Sequence, residues 1–337
     1  MDFRTELSPE KLPALIRPDA RVVTIGSCFA DVLGRQLTDN KVAVRSNPFG
    51  TLFNPVSIAK LLLASLHNAG PDPDLYVERD GLWFHYDFHS TFWGRSRDEL
   101  RDRLTDLLTQ TGDALRTADW LVLTLGTATV YRHLETGKVV ANCQKMPGFL
   151  FEKYLYAYEH VQQTLTDLVK KLKRVNPGLQ ILLTVSPVRH TKDTLPLNQA
   201  SKSILRAVSH ELTVWSEQVH YFPAYEIMLD DLRDYRFYEA DLIHPNAVAE
   251  TYIFEKFAEC AFDDELRSFI TEWQTLRKSM AHRPFHEGTE SHRRFLEKLL
   301  QQLDAVSPKA DVTREKQEIE SRLRAFKTID PGANQAA

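Results

Sequence analysis

The stretch "VVTIGSCFADVL", Val22 to Leu33, decides the fold. Its first half is an apolar run interrupted only by Thr24, the pattern of a strand buried on both faces. From Phe29 onward the apolar residues return at helical spacing. The switch falls on Gly-Ser-Cys. Ser27 therefore stands at the head of a helix, where a hydroxyl serves as an N-cap or, given a neighbouring base, as a nucleophile.

The same pattern recurs along the chain. Apolar runs at "WLVLTLG" (120–126), "QILLTVS" (180–186) and "VHYFPAY" (219–225), with a shorter one at "KVAVRS" (41–46), predict buried parallel strands. Between and after them, amphipathic spacing predicts helices over 29–39, 55–67, 97–115, 152–175, 198–218 and 247–262. Alternating strands and helices form a parallel sheet covered on both faces, and such sheets bind ligands at the carboxyl ends of their strands. Ser27, Thr127 and Ser186 all fall at such ends. Beyond residue 262 only helical stripes remain: Leu266, Phe269, Ile270, Trp273, Leu276 and Met280, then Phe295, Leu296, Leu299, Leu300 and Leu303, then a thin seam of Val312, Ile319, Leu323 and Phe326. The organisation expected is one α/β domain over 1–262 and a helical extension over 263–337 whose end, "DPGANQAA", is disordered. The extension's seam leaves room for a homo-oligomer built through the C-terminal helices.

Composition narrows the function classes. The formal charge of −4 over 337 residues gives no reason to expect a nucleic-acid partner, and no apolar run reaches the length of a membrane span. The N-terminal segment lacks the apolar core of a signal peptide. The 3 cysteines have no C-x-x-C spacing, so neither a disulfide framework nor a structural zinc site is suggested. A reducing cytoplasm is the expected setting.

A serine nucleophile needs an imidazole to take its proton and a carboxylate to orient the ring. Asp241 and His244 in "EADLIHPNAV" supply that pair, in the loop after the last predicted strand. Cys28 is a rival nucleophile, although a free cysteine at this place is more often a small buried apolar group. His85 and His89 in "LWFHYDFHSTFWG" have H-x-x-x-H spacing but lack the helix and glutamate of zinc hydrolases, so a pocket wall is the better reading. Trp83 in the same stretch could stack on a sugar or line an acyl site. Arg189 and His190 follow the fourth strand and bind a polar or anionic substrate group or cap local carbonyls. No metal and no cofactor is called for.

Strand-then-serine at the start and D-x-x-H before the closing helix resemble the SGNH (GDSL-like) hydrolase superfamily. "GSCFA" at 26–30, with "NPFGTLFNPVSI" (47–58), "LTLGTATVY" (123–131), "VANCQKMP" (140–147) and "TVSPVRH" (184–190), resembles the GSCFA family more closely, over roughly residues 20–262. The resemblance implies a three-layer α/β sandwich with a five-stranded, mainly parallel sheet in flavodoxin-like order 2-1-3-4-5. It implies Ser27 as nucleophile, His244 as base, Asp241 as the residue orienting it, and an acyl ester of a small molecule or carbohydrate as substrate. The oxyanion hole it implies uses the Ser27 N–H, the Gly50 N–H and an asparagine. Ala128 stands where that asparagine belongs, leaving Thr127 or Asn142 to complete the hole. Hydrolysis of an ester is the expected reaction; transfer of the acyl group to a carbohydrate hydroxyl and a non-catalytic binding module are the alternatives.

Overall fold

The computed structural model describes residues 5–282 and 289–326. The predicted disordered end lies outside the described residues. In chain order, β1 (Arg21–Gly26) leads into α1 (Cys28–Asp39), β2 (Ala43–Ser46) and α2 (Pro55–Leu66). A hairpin of β3 (Tyr76–Arg79) and β4 (Leu82–His85) precedes α3 (Arg97–Thr117). Then come β5 (Trp120–Leu125), β6 (Thr129–His133), β7 (Val139–Val140), β8 (Phe151–Leu155) and α4 (Tyr158–Val175). The α/β region closes with β9 (Gln180–Val185), α5 (Leu195–Trp215), β10 (Val219–Tyr221), α6 (Ala224–Leu229) and α7 (Ala247–Ala261).

The central sheet has 5 strands in the order β10-β9-β5-β1-β2, and every pair is parallel. This is the expected order, with β1 flanked by β2 and β5. The run Trp120–Leu125 is buried at every position, which is why it reads as apolar without alternation. One face of the sheet packs on α2, α3, α4 and α5 through residues such as Val23, Ile25, Leu123 and Leu183. Toward the other face lies α1, whose Ala30 carbonyl accepts a hydrogen bond from Thr24 at 3.3 Å. Gln36 of α1 in turn donates to the Glu250 carbonyl of α7 at 3.2 Å.

Two expectations fail locally. Residues 152–155 are not the start of α4 but part of β8, which pairs antiparallel with β6 in a three-stranded sheet. Their apparent helical spacing is outweighed by that long-range pairing. The last strand stops at Tyr221, because Pro223 carries no N–H for a ladder and α6 begins after it. The β3–β4 hairpin and the β6–β8 sheet share a small core of Leu75, Tyr86, Val140 and Phe151.

The described residues divide into two compact units at Ala261/Phe262, with Asp39–Lys41 grouped in the second. The second holds α8 (Asp264–Ala281), α9 (Glu290–Val306) and α10 (Thr313–Phe326). Asp263 caps α8 by accepting the Leu266 N–H at 2.7 Å. The stripe Leu266, Phe269, Ile270, Trp273 and Leu276 is buried, as are Leu296, Leu299 and Leu303, while Phe295 is exposed.

Candidate functional site

The site is built where β1 ends. Gly26 has φ +146°, and a Cβ there would stand 2.1 Å from the Thr124 carbonyl oxygen, so only glycine lets the two strands close. Ser27 follows it, with no exposed surface. Its Oγ accepts the Phe29 N–H at 3.3 Å, the contact of a helix cap. The side chain of Asn47 braces the turn, accepting the Gly26 N–H at 2.8 Å and donating to Asp31 at 2.7 Å.

Asp241 and His244 are brought together. The Asp241 Oδ2 lies 2.7 Å from His244 Nδ1, and its Oδ1 accepts the N–H groups of Ile243 at 2.9 Å and His244 at 3.0 Å. These bonds, first the one from the His244 ring, hold the Asp241 carboxyl down to about 2. The carboxylate thus fixes the ring through Nδ1 and leaves Nε2 as the nitrogen available for proton transfer. Both side chains are exposed, at 42% and 46%. Among the described residues, no hydrogen bond joins Ser27 to His244.

The remaining residues divide clearly. The Ser27 N–H donates to Thr124 O at 3.0 Å, the Gly50 N–H to Asn47 O at 2.8 Å, and the Thr127 N–H to Phe53 O at 2.9 Å. The Thr127 hydroxyl is paired with Ser201 Oγ at 2.9 Å. Every backbone donor expected in the oxyanion hole already has an internal acceptor. Asn142 uses its side-chain oxygen to accept the Gln144 N–H at 2.7 Å and has its amide NH2 uncommitted among the described contacts. Gly50, with φ +71°, lies against His89, whose Cβ would be 2.4 Å from an added Cβ. His89 thereby packs against the 47–54 segment, which Asn47 and Leu52 tie to Gly26. Trp83 stays in its hairpin, exchanging backbone bonds with Gly94 at 2.9 and 3.1 Å. His85 is buried with both ring nitrogens on backbone groups, Asp72 O at 2.9 Å and Asp87 N at 3.1 Å, and burial pushes it down to about 4. That leaves it no lone pair for a metal. The Cys28 thiol is pushed up, first by burial and then by Asp31, which makes it a poor thiolate.

Arg189 and His190 join the two halves of the site. The Arg189 N–H donates to Ile243 O and its Nη1 to Leu242 O, both at 3.1 Å, so the end of β9 is tied to the Asp241–His244 loop. The His190 ring meets Phe53 edge-on at 5.5 Å, and Phe53 O receives both Gly126 N and Thr127 N. Burial, then the charges of Lys202, Lys153 and His244, drive His190 down to about 4 and keep it neutral. Sequence reasoning missed Lys202, which is fully enclosed and donates to Ser186 O at 2.7 Å. The signal was present: Asn198, Lys202, Leu205, Ser209 and Leu212 form one buried stripe of α5. No helix among the described residues is long and apolar enough to cross a membrane.

No curated protein matches the chain. Among solved structures, a Clostridium thermocellum family 3 carbohydrate esterase aligns at 11% identity and TM-score 0.36, covering 75% of this chain and 99% of that one. A carbohydrate esterase family 3 protein from Talaromyces cellulolyticus aligns at 10% identity and TM-score 0.35, covering 75% and 99%. The model described as "GSCFA domain protein, C-terminal domain" matches residues 273–325, and the model described as "GSCFA family" matches residues 21–257.

Proposed function

Starting from the fact that the chain belongs to the GSCFA family, we propose that it is an esterase-type hydrolase acting on an acyl ester through Ser27. The observation that carries this reading is the Asp241–His244 pair, held at 2.7 Å with Nε2 left for a proton. In the reaction, His244 Nε2 takes the Ser27 Oγ proton as Oγ attacks the acyl carbon. The ring then gives that proton to the leaving alkoxide, and water, deprotonated by the same nitrogen, releases the acid. Ser27 has to give up its cap on Phe29 and a backbone donor has to be freed, so the segment 47–54 moves in the working enzyme. Asn142 contributes the uncommitted amide. His89 and Trp83 line the substrate side.

The burial of Ser27 favours one second reading, transfer of the acyl group to a carbohydrate hydroxyl, because a nucleophile shut from bulk water protects its acyl intermediate from hydrolysis. Product analysis with and without sugar acceptors separates the two. A fluorophosphonate probe tests both at once, since it labels a serine activated by a base. Labelling is expected in the native chain and absent in Ser27→Ala and His244→Ala. Folded protein that never labels, with no turnover of aryl esters, would leave a non-catalytic binding module.

A further inference from the structure

A cavity of about 280 Å³ adjoins the Asp241–His244 loop, lined among others by Arg189, Asn198, Gln199, Tyr225, Tyr235 and Tyr238. It shares its wall with the loop. Arg189 holds Leu242 and Ile243, and Tyr238 forms a backbone bridge with Pro245. We infer that this cavity is the substrate subsite and that it takes an anionic sugar, a uronate or a sugar phosphate, as the alcohol part of the ester. The inference rests on the esterase or acyl-transfer reading above for its role, but not for its binding.

Charge supports the anion. At the rim Arg233 is paired with Asp230, and Asp234 with Arg236. Arg189 alone among the described cations lining the cavity has no carboxylate. Its guanidinium lies over the rings of Tyr235 at 5.7 Å and Tyr238 at 5.2 Å. Stacking occupies the flat faces of a guanidinium and leaves its N–H edge for a bidentate partner such as a carboxylate or phosphate. One Nη1 hydrogen is used on Leu242 O, and the others remain.

Hydrogen-bond polarity supports the sugar. The side-chain oxygen of Asn198 already accepts the His190 N–H at 2.9 Å, and that of Gln199 accepts the Tyr225 hydroxyl. What both amides have left to offer is NH2. A cavity whose uncommitted amide and guanidinium groups are donors, walled by tyrosine rings, suits a ligand rich in oxygen acceptors with a flat carbon face.

The test is isothermal titration, backed by saturation-transfer NMR, of the full chain with glucuronate, glucose 6-phosphate and glucose. An anionic sugar is expected to bind at least about tenfold more tightly than glucose, the effect of one charge-assisted pair. Arg189→Gln should bring it to the glucose level. Because Arg189 also braces Leu242, a second variant is needed: Tyr235→Ala, at a residue 63% exposed, should weaken the anionic sugar about three- to tenfold with an unchanged melting curve. Preference for glucuronate or for the phosphate identifies the source of the anion. No binding of any of the three up to tens of millimolar, equal binding of glucose and the anions, or indifference to both substitutions overturns the proposal. Binding that depends on Arg189 in a protein without aryl-ester turnover would keep the subsite and remove the esterase reading.

Discussion

Replacing Lys202 with methionine should change how the stability of the α/β unit depends on pH. The ammonium sits in a fully enclosed place, and burial pushes it from its ordinary 10.5 down to about 7. For a base whose folded pKa lies below its unfolded one, the unfolded chain binds more protons throughout the interval between the two. Stability therefore rises with pH from about 7 to about 10.5, and the penalty is complete and constant below that window. Integrating the proton difference from pH 7 to pH 9 gives a gain of about 2 kcal/mol for the native chain. Methionine keeps most of the stem volume and cannot titrate. It also loses the hydrogen bond to Ser186 O, an offset of about 1 kcal/mol that does not vary with pH. Two titratable neighbours are silent in this range: His190 is held down to about 4 and Tyr225 is pushed up to about 12, both first by burial. Urea unfolding of both proteins at pH 7, 8 and 9 measures the difference directly. The native chain should gain about 2 kcal/mol on the variant across the series. Parallel pH dependence in the two proteins would refute the claim that Lys202 is buried with a depressed pKa.

Three further outcomes are expected. Asp241→Asn removes the carboxylate that fixes the His244 tautomer, so aryl-ester turnover should fall by about 10³- to 10⁴-fold in kcat with KM little changed. Gly26→Ala places a methyl 2.1 Å from Thr124 O at a φ that favours glycine, and should cost more than about 3 kcal/mol or prevent soluble expression, whereas Gly137→Ala, with open space around it, should cost about 1 kcal/mol in a thermal melt. Cys28→Ala should keep aryl-ester turnover within about twofold, since burial and Asp31 disfavour its thiolate.

The central sheet was legible because its strands are buried on both faces. "RVVTIG", "WLVLTL" and "QILLTV" are interrupted in their interiors only by a threonine, a β-branched residue that suits a strand. The β8 strand was not legible, since only its antiparallel pairing with β6 makes "FEKYL" extended. Asp241 and His244 could be read as a pair because the turn that joins them is local, three residues apart. The state of the oxyanion donors could not be read. It depends on backbone acceptors such as Phe53 O, which takes two N–H groups from more than 70 residues away, and a carbonyl leaves no mark in a sequence. Lys202 lay on the buried stripe of α5, but a lysine there reads first as a surface residue. The cavity beside Arg189 gathers residues from α5, α6 and the segment after α6, so its concavity exists only once these are packed.

The complete enclosure of Ser27 has a kinetic consequence. A reagent cannot meet a hydroxyl that shows no surface, so modification has to wait for a transient opening of the strand-end turn. The observed labelling rate should climb with reagent concentration only to a ceiling, and that ceiling is the opening rate itself, the same for reagents of very different intrinsic reactivity. Ser27 would then act as a clock for a motion of the resting protein, readable with a panel of phosphonates.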